Sequence, residues 1–364
     1  MSASGWLALL CAPAPWPLAL AGALLLAWLG DRRWGEPPDA WHPVAWLGRV
    51  LGPVGRRLRR ARPALALPGG ALAWTVLAGL LMAAAAWLQA RLLSLPALLA
   101  LPLLAVLLKP LFAWRMLHDE VAAVGAALQQ GLEPGRQRLA RLVSRDVTVL
   151  DASQVRESAI ETLAENLNDS FIAPLAWLLL LGLPGAVLYR FANTADAMWG
   201  YRGAWEWAGK WAARADDLLS WPTARVSALL LRPCWRPSAW GLLADQAALT
   251  PSPNGGWPMG AMALQLGVRL SKPGVYVLNA AGRPPESSDL QGALLLATLA
   301  AHAWLGLLLT ALAGLGLAGL PGAADRLPGL LPWLADVAGP WLAQIPSPWM
   351  APQAGPMGPG RGAS

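Results

Sequence analysis

The sequence predicts an all-α fold, a polytopic helical membrane protein with a mostly helical cytoplasmic insertion. The chain of 364 residues is 56% hydrophobic and only 13% charged, whereas a soluble domain is about 25% charged. Several apolar runs also approach the roughly 20 residues that a helix needs to cross a bilayer. The 22 tryptophans, against three phenylalanines and three tyrosines, fit a protein that lies at membrane–water interfaces.

Four apolar stretches are expected to cross the membrane. They are residues 12–30, 68–90, 95–114 and 290–320. A fifth stretch, 170–188, is interrupted by Pro and Gly, which leaves open whether it spans, re-enters the bilayer or packs in a core. The spans and the polar insertion 115–289 form one membrane domain, 1–345. The end of the chain, 346–364, is rich in Pro and Gly and is expected to be a flexible tail.

The basic residues predict the orientation of the chain. The loop 31–67 carries eight arginines against three acids, an excess that marks a cytoplasmic loop. Alternating crossings then place 115–169 in the cytoplasm of a bacterial cell, bound to the inner membrane, and 189–289 with it if 170–188 does not fully cross. Cys11 and Cys234 are far apart in sequence, so a zinc site or a disulfide framework is unsupported.

An acidic stripe in the insertion is the strongest local candidate for chemistry. Glu157, Glu161 and Glu165 recur every four residues, so on a helix they share one face and repel one another. Asn166 and Asp169 add oxygen donors at its end. Magnesium takes carboxylate and amide oxygens of this kind, usually together with phosphate. The alternative is a solvated acidic face.

Two further polar clusters follow the stripe. Asn193, Thr194 and Asp196 come directly after the apolar segment, where polar groups are expensive unless they are paired or functional. Asp216 and Asp217 are adjacent, so a regular helix points them to different sides. One of these two acids is therefore expected to bind a metal ion while the other caps a helix or pairs with an arginine. Ordinary loops and turns are the alternative.

A Gly- and Pro-rich loop, from Ser252 through Asn254 to Pro258, precedes a helical pattern. Backbone amides in such loops, and the helix N-terminus after them, can cradle phosphate. Near the N-terminus, His42 is a candidate proton carrier, or an interfacial histidine with a structural hydrogen bond. The chain contains no GxxxxGK[ST], GxSxG or HExxH motif and no GxGxxG after a strand, so any nucleotide site is of another kind.

Several blocks occur together in a recognisable order. They are Asp31 to Pro37 with His42-Pro43, Arg145-Asp146, Glu161 to Leu175, Pro184 to Arg202, Ala213 to Arg225, and Ser252 to Pro258. These blocks resemble the adenosylcobinamide-phosphate synthase family of cobalamin biosynthesis over roughly residues 25–275. Met259 and the pair Ser271-Lys272 depart from that pattern, where the family commonly has an acid and two glycines.

The resemblance implies an integral membrane ligase. Its reaction would join adenosylcobyric acid to (R)-1-amino-2-propanol O-2-phosphate, or to the free amino alcohol, with ATP and magnesium. The implied partners are this corrinoid, aminopropanol phosphate, the lipid bilayer and other membrane-associated enzymes late in the cobalamin pathway, with no nucleic acid. A non-catalytic inner-membrane regulator of the same superfamily and a transporter are the rival interpretations.

We expect the candidate residues to meet in one ion-and-phosphate pocket at the cytoplasmic side. The candidate catalytic residues are Glu161, Glu165, His42 and Asp196. The candidate magnesium ligands are Glu161, Glu165, Asp169, Asp196, Asp216 and Asp217. The candidate substrate- and phosphate-binding residues are Arg145, Asn166, Asn193, Thr194, Tyr201, Arg202, Arg214, Arg225, Ser252 and Asn254. The arginines would clamp phosphate, and His42 or a carboxylate would take the amine proton.

Overall fold

The computed structural model describes residues 15–201, 203–232 and 237–318. Its α-helices are α1 (Trp16–Trp34), α2 (Pro43–Arg59), α3 (Pro63–Leu93), α4 (Ala97–Leu108), α5 (Trp114–Gln130), α6 (Leu132–Leu139), α7 (Ala152–Leu167), α8 (Ala173–Leu181), α9 (Leu183–Trp199), α10 (Glu206–Leu231), α11 (Pro237–Ala247), α12 (Gly256–Leu266) and α13 (Ser287–Ala318). Two short antiparallel strands, β1 (Leu270–Lys272) and β2 (Tyr276–Leu278), form a hairpin. The prediction of a helical fold is confirmed.

Three helical segments are long and apolar enough to cross a membrane. They are Pro63–Leu93, Ala97–Gln130 and Ser287–Ala318, of 31, 34 and 32 residues, and they include most of the predicted spans 68–90, 95–114 and 290–320. The second segment is interrupted by a 3-10 turn at Lys109–Leu111 and by extended backbone at Phe112, so α4 and α5 are separate helices. These segments support a membrane protein.

The first predicted span differs from these three. Residues 16–30 are helical, as part of α1. Asp31, Arg32 and Arg33 lie near the end of this helix, so its uncharged part is short. Asp31 is fully buried, and one of its carboxylate oxygens lies 3.0 Å from Nζ of Lys109. The charged end of α1 is therefore held by an ion pair to the end of α4.

The ambiguous stretch 170–188 is not one straight helix. Gly182, with a φ of +68°, ends α8 after nine residues, which is too short to cross a bilayer. The side-chain oxygen of Gln89 accepts a hydrogen bond from the backbone N–H of Leu183 at 2.7 Å. The end of α3 therefore fixes the turn between α8 and α9.

Helix α7 lies in the core. Its N-terminus is closed by a capping box, in which Asp151 and Gln154 exchange side-chain to backbone hydrogen bonds of 2.9 Å. Its acidic face is enclosed as well, because Glu157 is fully buried and Glu161 is 1% exposed. A solvated acidic face is therefore wrong for these two glutamates.

The described residues up to Gly316 form one compact unit. This unit contains all of the described insertion and the described parts of the predicted spans as far as Gly316. The end of the predicted domain from residue 319 onward, and the predicted tail 346–364, lie outside the described residues.

Candidate functional site

A polar cavity of about 230 Å³ lies among α7, α9, α10 and the loop before α12. Its lining residues are Glu165, Asn168, Asp169, Asn193, Asp196, Asp216, Asp217, Ser220, Ser252, Asn254, Gly255 and Pro258. Five of them are carboxylates, and within the described residues no Lys or Arg belongs to the lining. The cavity is therefore a concentration of negative charge inside a mostly apolar chain.

Helical spacing explains why these side chains meet. On α9, Asn193 and Asp196 are three residues apart, and on α10, Asp216 and Ser220 are four apart, so each pair shares a helix face. Helix α7 contributes Glu165 from its last turn. Polar faces of three helices thus turn toward one space.

A π-helical turn, Asn168–Ile172, positions the acid that follows α7. The side-chain amide of Asn168 donates to Oδ1 of Asp169 at 2.8 Å, and the hydroxyl of Tyr189 donates to the same oxygen at 3.3 Å. Ser227 in turn donates to Oδ1 of Asn168 at 3.0 Å. Asp169 is thus held by neutral donors, and π-helical turns of this kind are frequent at functional sites.

Burial and mutual repulsion raise the pKa values of carboxylates in the cavity. Burial raises the pKa of Glu165 to about 7, and the negative charge of Asp169 raises it further. Burial raises the pKa of Asp196 to about 6 and that of Asp216 to about 9, again with neighbouring carboxylates adding to the effect. Burial raises the pKa of Asp169 as well. Protons or a cation must neutralise such a cluster.

The donor set fits a hard divalent cation. Carboxylate and amide oxygens surround the space, as magnesium prefers, and Oδ1 of Asp216 is buried without a hydrogen-bond partner among the described residues. In the same part of the chain, no three His, Cys, Asp or Glu side chains are already grouped closely enough to hold a metal ion. Magnesium usually completes its shell with water and phosphate oxygens, which suits an open donor set of this kind.

Asp216 and Asp217 both line the cavity, but they differ in their surroundings. Asp217 has a cationic neighbour, since its Oδ2 lies 3.7 Å from Nη1 of Arg214. Asp216 forms no ion pair among the described residues. The expected arginine partner is present at Asp217, and the metal contact expected of the other acid stays a prediction.

The loop 252–258 closes one side of the cavity. The hydroxyl of Ser252 accepts hydrogen bonds from the backbone N–H groups of Asn254 and Gly255, at 3.2 and 3.1 Å. The side-chain amide of Asn254 donates to the backbone carbonyl of Asp217 at 2.8 Å. Two amides of the expected phosphate cradle are thus occupied within the loop, and the loop presents side chains to the cavity.

Arg225, on α10, contacts this loop. Its guanidinium lies between two indole rings, 4.3 Å from the ring centroid of Trp221 and 4.5 Å from that of Trp257. It donates a hydrogen bond of 2.9 Å to Oδ1 of Asn254. Arg225 was expected to clamp phosphate. In the structure it contacts the loop instead, and it does not line the cavity.

Arg145 and Glu161 form a second site beside the cavity. Nη2 of Arg145 donates to Oε2 of Glu161 and Nη1 donates to the hydroxyl of Ser158, both at 3.0 Å. Burial raises the pKa of Glu161 and the charge of Arg145 opposes that rise. Glu161 lies one helical turn before Glu165, outside the cavity lining, with its charge already paired.

His42 lies in a different network. Its Nδ1 accepts a hydrogen bond of 3.2 Å from the backbone N–H of Val44, and its Nε2 is 3.1 Å from Oε2 of Glu36. The other oxygen of Glu36 accepts from Nζ of Lys109 at 2.7 Å. The geometry favours a histidine with structural hydrogen bonds, since both ring nitrogens are engaged and the residue does not line the cavity.

The remaining predicted binding residues are not brought together. Thr194 and Asn166 bond to backbone carbonyls of their own helices, at 2.7 and 3.0 Å. Tyr201 is 57% exposed, and the side chain of Arg214 is 74% exposed. Arg202 lies outside the described residues. The prediction of a single pocket that contains both carboxylates and arginines is therefore wrong for the arginines, because the described arginines do not line the cavity.

Sequence analysis missed several residues of the cavity. Ser220 could have been found from its four-residue interval to Asp216, and Asn168 from its place beside Asp169. Gly255 belongs to the predicted Gly- and Pro-rich loop, but no local signal distinguishes it from its neighbour Gly256. A Cβ at Gly255 would lie 2.9 Å from Oε1 of Glu165, so this glycine gives the glutamate room.

Comparisons with known proteins find one family and several relatives of this chain. The family described as CobD/Cbib protein matches residues 24–316, which include the whole cavity lining. The probable cobalamin biosynthesis protein CobD of Thermococcus kodakarensis is 40% identical over 290 residues, 77% of this chain and 91% of that protein. The cobalamin biosynthesis protein CobD of Dehalococcoides mccartyi is 33% identical over 287 residues, 77% of this chain and 93% of that protein.

A third relative is similar over a slightly shorter stretch. The cobalamin biosynthesis protein CobD of Rhodobacter capsulatus is 38% identical over 274 residues, which cover 70% of this chain and 84% of that protein. No solved structure matches the chain. The extent of the family match and the identity to these relatives show that the chain belongs to the CobD/Cbib protein family.

Proposed function

We propose that this chain is an enzyme of cobalamin biosynthesis, an adenosylcobinamide-phosphate synthase. The reaction is an ATP-dependent ligation of (R)-1-amino-2-propanol O-2-phosphate, or the free amino alcohol, to the propionate carboxylate of adenosylcobyric acid. The observation that carries the proposal is the cavity lined by five carboxylates, in a chain whose relatives are named cobalamin biosynthesis proteins. Such a cavity is suited to a cation that binds phosphate.

The chemistry requires activation of the propionate, because a carboxylate oxygen is a poor leaving group. Transfer of the γ-phosphoryl group of ATP to this oxygen releases ADP and gives an acyl phosphate. The amine nitrogen then attacks the acyl carbon, phosphate leaves, and the nitrogen loses a proton as the amide forms. Phosphoryl transfer of this kind depends on positioning and on neutralisation of charge.

The acids of the cavity are the proposed magnesium ligands and the proposed proton acceptor for these steps. Asp169, Asp196 and Asp216 would hold magnesium, which when bound neutralises phosphate charge. The hydrogen bonds from Asn168 and Tyr189 keep Asp169 in place. These contacts fix the side chain of Asp169 before the substrates arrive, which lowers the cost of organising the site.

Glu165 is the proposed acceptor of the amine proton. Its pKa of about 7 is close to the operating pH, where a general base is most effective. A bound cation would lower this pKa and favour the carboxylate form. Arg145 and Arg225 act through Glu161 and Asn254 in this proposal, as positioning residues and not as phosphate clamps.

The proposed location is the inner membrane of a bacterial cell, with the cavity open to the cytoplasm, where ATP is available. The three apolar helices support the membrane location, and the arginine-rich loop 31–67 supports the orientation. Other membrane-associated enzymes late in the same pathway are the proposed protein partners.

The test uses purified protein in detergent micelles. It is incubated with adenosylcobyric acid, aminopropanol phosphate, ATP and magnesium, and the amide product is measured by mass spectrometry. Reactions without ATP or without magnesium are expected to give no amide, and a parallel reaction with free aminopropanol identifies the amine substrate. Folded protein that makes no amide with either amine would overturn the proposal.

Two outcomes would point to the rival interpretations. Failure to rescue a corrinoid auxotroph, with the protein present in the membrane, would support a regulator. Corrinoid uptake into proteoliposomes would support a transporter. The buried carboxylates favour the enzyme, since they lie together in the cavity lined by α7, α9 and α10.

A further inference from the structure

A separate surface of the molecule is strongly basic. Helix α2 and the residues that follow it contain six arginines between positions 43 and 62 and no acidic residue. They are Arg49, Arg56, Arg57, Arg59, Arg60 and Arg62, and all six are exposed. We name this set the arginine surface.

The arginine surface is not neutralised by the protein. None of its six guanidinium groups forms an ion pair with a carboxylate of residues 15–201, 203–232 or 237–318. Arg59 stacks over the ring of Trp205, 5.2 Å from its centroid, which orients that side chain but leaves its charge unbalanced. Six like charges within 14 positions repel one another unless an external anion binds.

Packing holds α2 in one orientation. Leu51 is fully buried, and its backbone carbonyl accepts a hydrogen bond of 3.1 Å from the indole N–H of Trp199. Gly55 is buried against the same tryptophan. The opposite face therefore stays outward, where Arg49, Arg56 and Arg60 lie at helical intervals.

The arginine surface lies directly before a membrane-spanning candidate. The apolar helix Pro63–Leu93 begins one residue after Arg62. Exposed tryptophans precede it, with Trp34 77%, Trp41 75% and Trp46 48% exposed, and tryptophan is enriched at the level of lipid headgroups. Both features place the surface at the membrane–water interface.

We propose that the arginine surface binds the headgroups of anionic phospholipids. Basic clusters next to a spanning helix attract anionic lipids, and each basic residue near the surface strengthens this attraction by roughly fivefold. The lipid phosphate is the anion that a side chain at this depth always meets. This binding would fix α2 on the membrane and hold α9, which packs on α2, beside the polar cavity. The inference does not depend on the proposed reaction.

The test is the selectivity of the whole protein for lipids. Wild-type protein is reconstituted in phosphatidylcholine vesicles that contain a trace of spin-labelled phosphatidylglycerol or spin-labelled phosphatidylcholine, and the motionally restricted fraction is measured by electron paramagnetic resonance. We expect severalfold selectivity for phosphatidylglycerol at low salt and its decline at high salt. Equal restricted fractions for the two lipids in the wild type would overturn the proposal without any variant.

Variants locate the effect. The quadruple substitution R56Q/R57Q/R59Q/R60Q is expected to abolish the selectivity, and R56K/R57K/R59K/R60K is expected to retain it, since the charges remain. Arg141→Gln removes another exposed arginine and should leave the selectivity unchanged. If the four glutamines change nothing in correctly inserted protein, or if Arg141→Gln has the same effect as they do, the arginine surface is not the binding site.

Discussion

Arg225 holds Asn254 at the edge of the polar cavity through a hydrogen bond of 2.9 Å from its guanidinium to Oδ1. The other end of the same amide donates to the backbone carbonyl of Asp217 at 2.8 Å. Both partners belong to α10, so the side chain of Asn254 anchors the loop at two positions on the helix that carries two of the acids. These two hydrogen bonds hold the loop against α10.

The first prediction concerns this connection. Arg225→Ala should lower amide formation by about 10- to 100-fold while the protein stays folded. The reason is that Asn254 loses its hydrogen-bond partner, so the loop is no longer held in place beside the cavity. Arg225→Lys should recover little, since an ammonium group cannot replace a planar guanidinium stacked between two indole rings. Steady-state assays of the three proteins provide the measurement.

A double-mutant cycle separates this role from direct phosphate binding. If Arg225 acts through Asn254, the double variant Arg225→Ala/Asn254→Ala should be no worse than the more damaged single variant. Losses that multiply would show that the two residues act independently. Arg141→Ala, at an exposed arginine away from the cavity lining, serves as the control for removal of a positive charge.

Much of the fold follows from composition and spacing. The apolar runs gave three segments that are long enough to cross a membrane, because hydropathy measures the property that the bilayer selects. The break at Gly182 was not decided by sequence, since the Pro and Gly residues of that stretch are tolerated in spanning and re-entrant helices alike. The partner that settles it, Gln89, is distant in the chain.

The candidate site was predictable in its acids and not in its arginines. The four-residue interval that relates Glu161 to Glu165 is local, and acids stand out in a chain that is only 13% charged. An arginine, in contrast, is equally suited to a phosphate, a carboxylate or an aromatic ring. Only the fold shows that Arg145 meets Glu161 and that Arg225 meets Trp221.

The second prediction concerns Asp216. Its pKa of about 9 means that, without a cation, the residue is protonated near neutral pH. Asp216→Asn should therefore change the free energy of unfolding of the metal-free protein by no more than about 1 kcal/mol. It should nevertheless reduce amide formation by at least about 100-fold and abolish the rise in Tm on adding magnesium, because the variant cannot supply a negative oxygen.

Thermal unfolding with and without magnesium tests this prediction. Asp245→Asn, at an exposed aspartate of α11, is the matched control and should keep the full magnesium effect. An equal rise in Tm for wild type and Asp216→Asn would exclude Asp216 from the cation site.

The third prediction is a pH dependence that arises from Glu165. Its pKa is about 7 in the folded protein against an ordinary value of 4.5, so between these values the folded state binds more protons than the unfolded chain. The free energy of unfolding of the metal-free protein should therefore fall as pH rises from about 5 to about 8, by a few kcal/mol at most.

Denaturant titrations in detergent at several pH values measure this slope. Glu165→Gln should make the slope shallower, because the neutral amide does not titrate, while Asp196 and Asp216, whose pKa values are also raised, keep part of it. Saturating magnesium should flatten the slope in the wild type. A slope that is the same in wild type and Glu165→Gln would assign the titration to other groups.

The fourth prediction concerns the hairpin. Ser271 donates a hydrogen bond to Oε2 of Glu157, a fully buried carboxylate whose other oxygen lies 3.4 Å from Nη2 of Arg269. Ser271→Ala should lower the free energy of unfolding by about 1–3 kcal/mol, because a buried acceptor loses its donor. Ser271→Thr keeps the hydroxyl and should lose much less, and equal losses in the two variants would show that the hydrogen bond is not the cause.

The last prediction tests the space around Glu165. Gly255→Ala would add a methyl group 2.9 Å from Oε1 of this glutamate, so the carboxylate must shift by a few tenths of an ångström away from its place in the cavity. Gly241→Ala is the matched control, since a Cβ there has no neighbour within 4 Å among the described residues, and in the middle of α11 alanine should stabilise by about 0.5–1 kcal/mol. Gly255→Ala should lower amide formation by about tenfold or more with the fold retained, because displacement of a proton acceptor by this amount weakens its action. Full activity in Gly255→Ala would mean that the position of Glu165 does not limit the reaction.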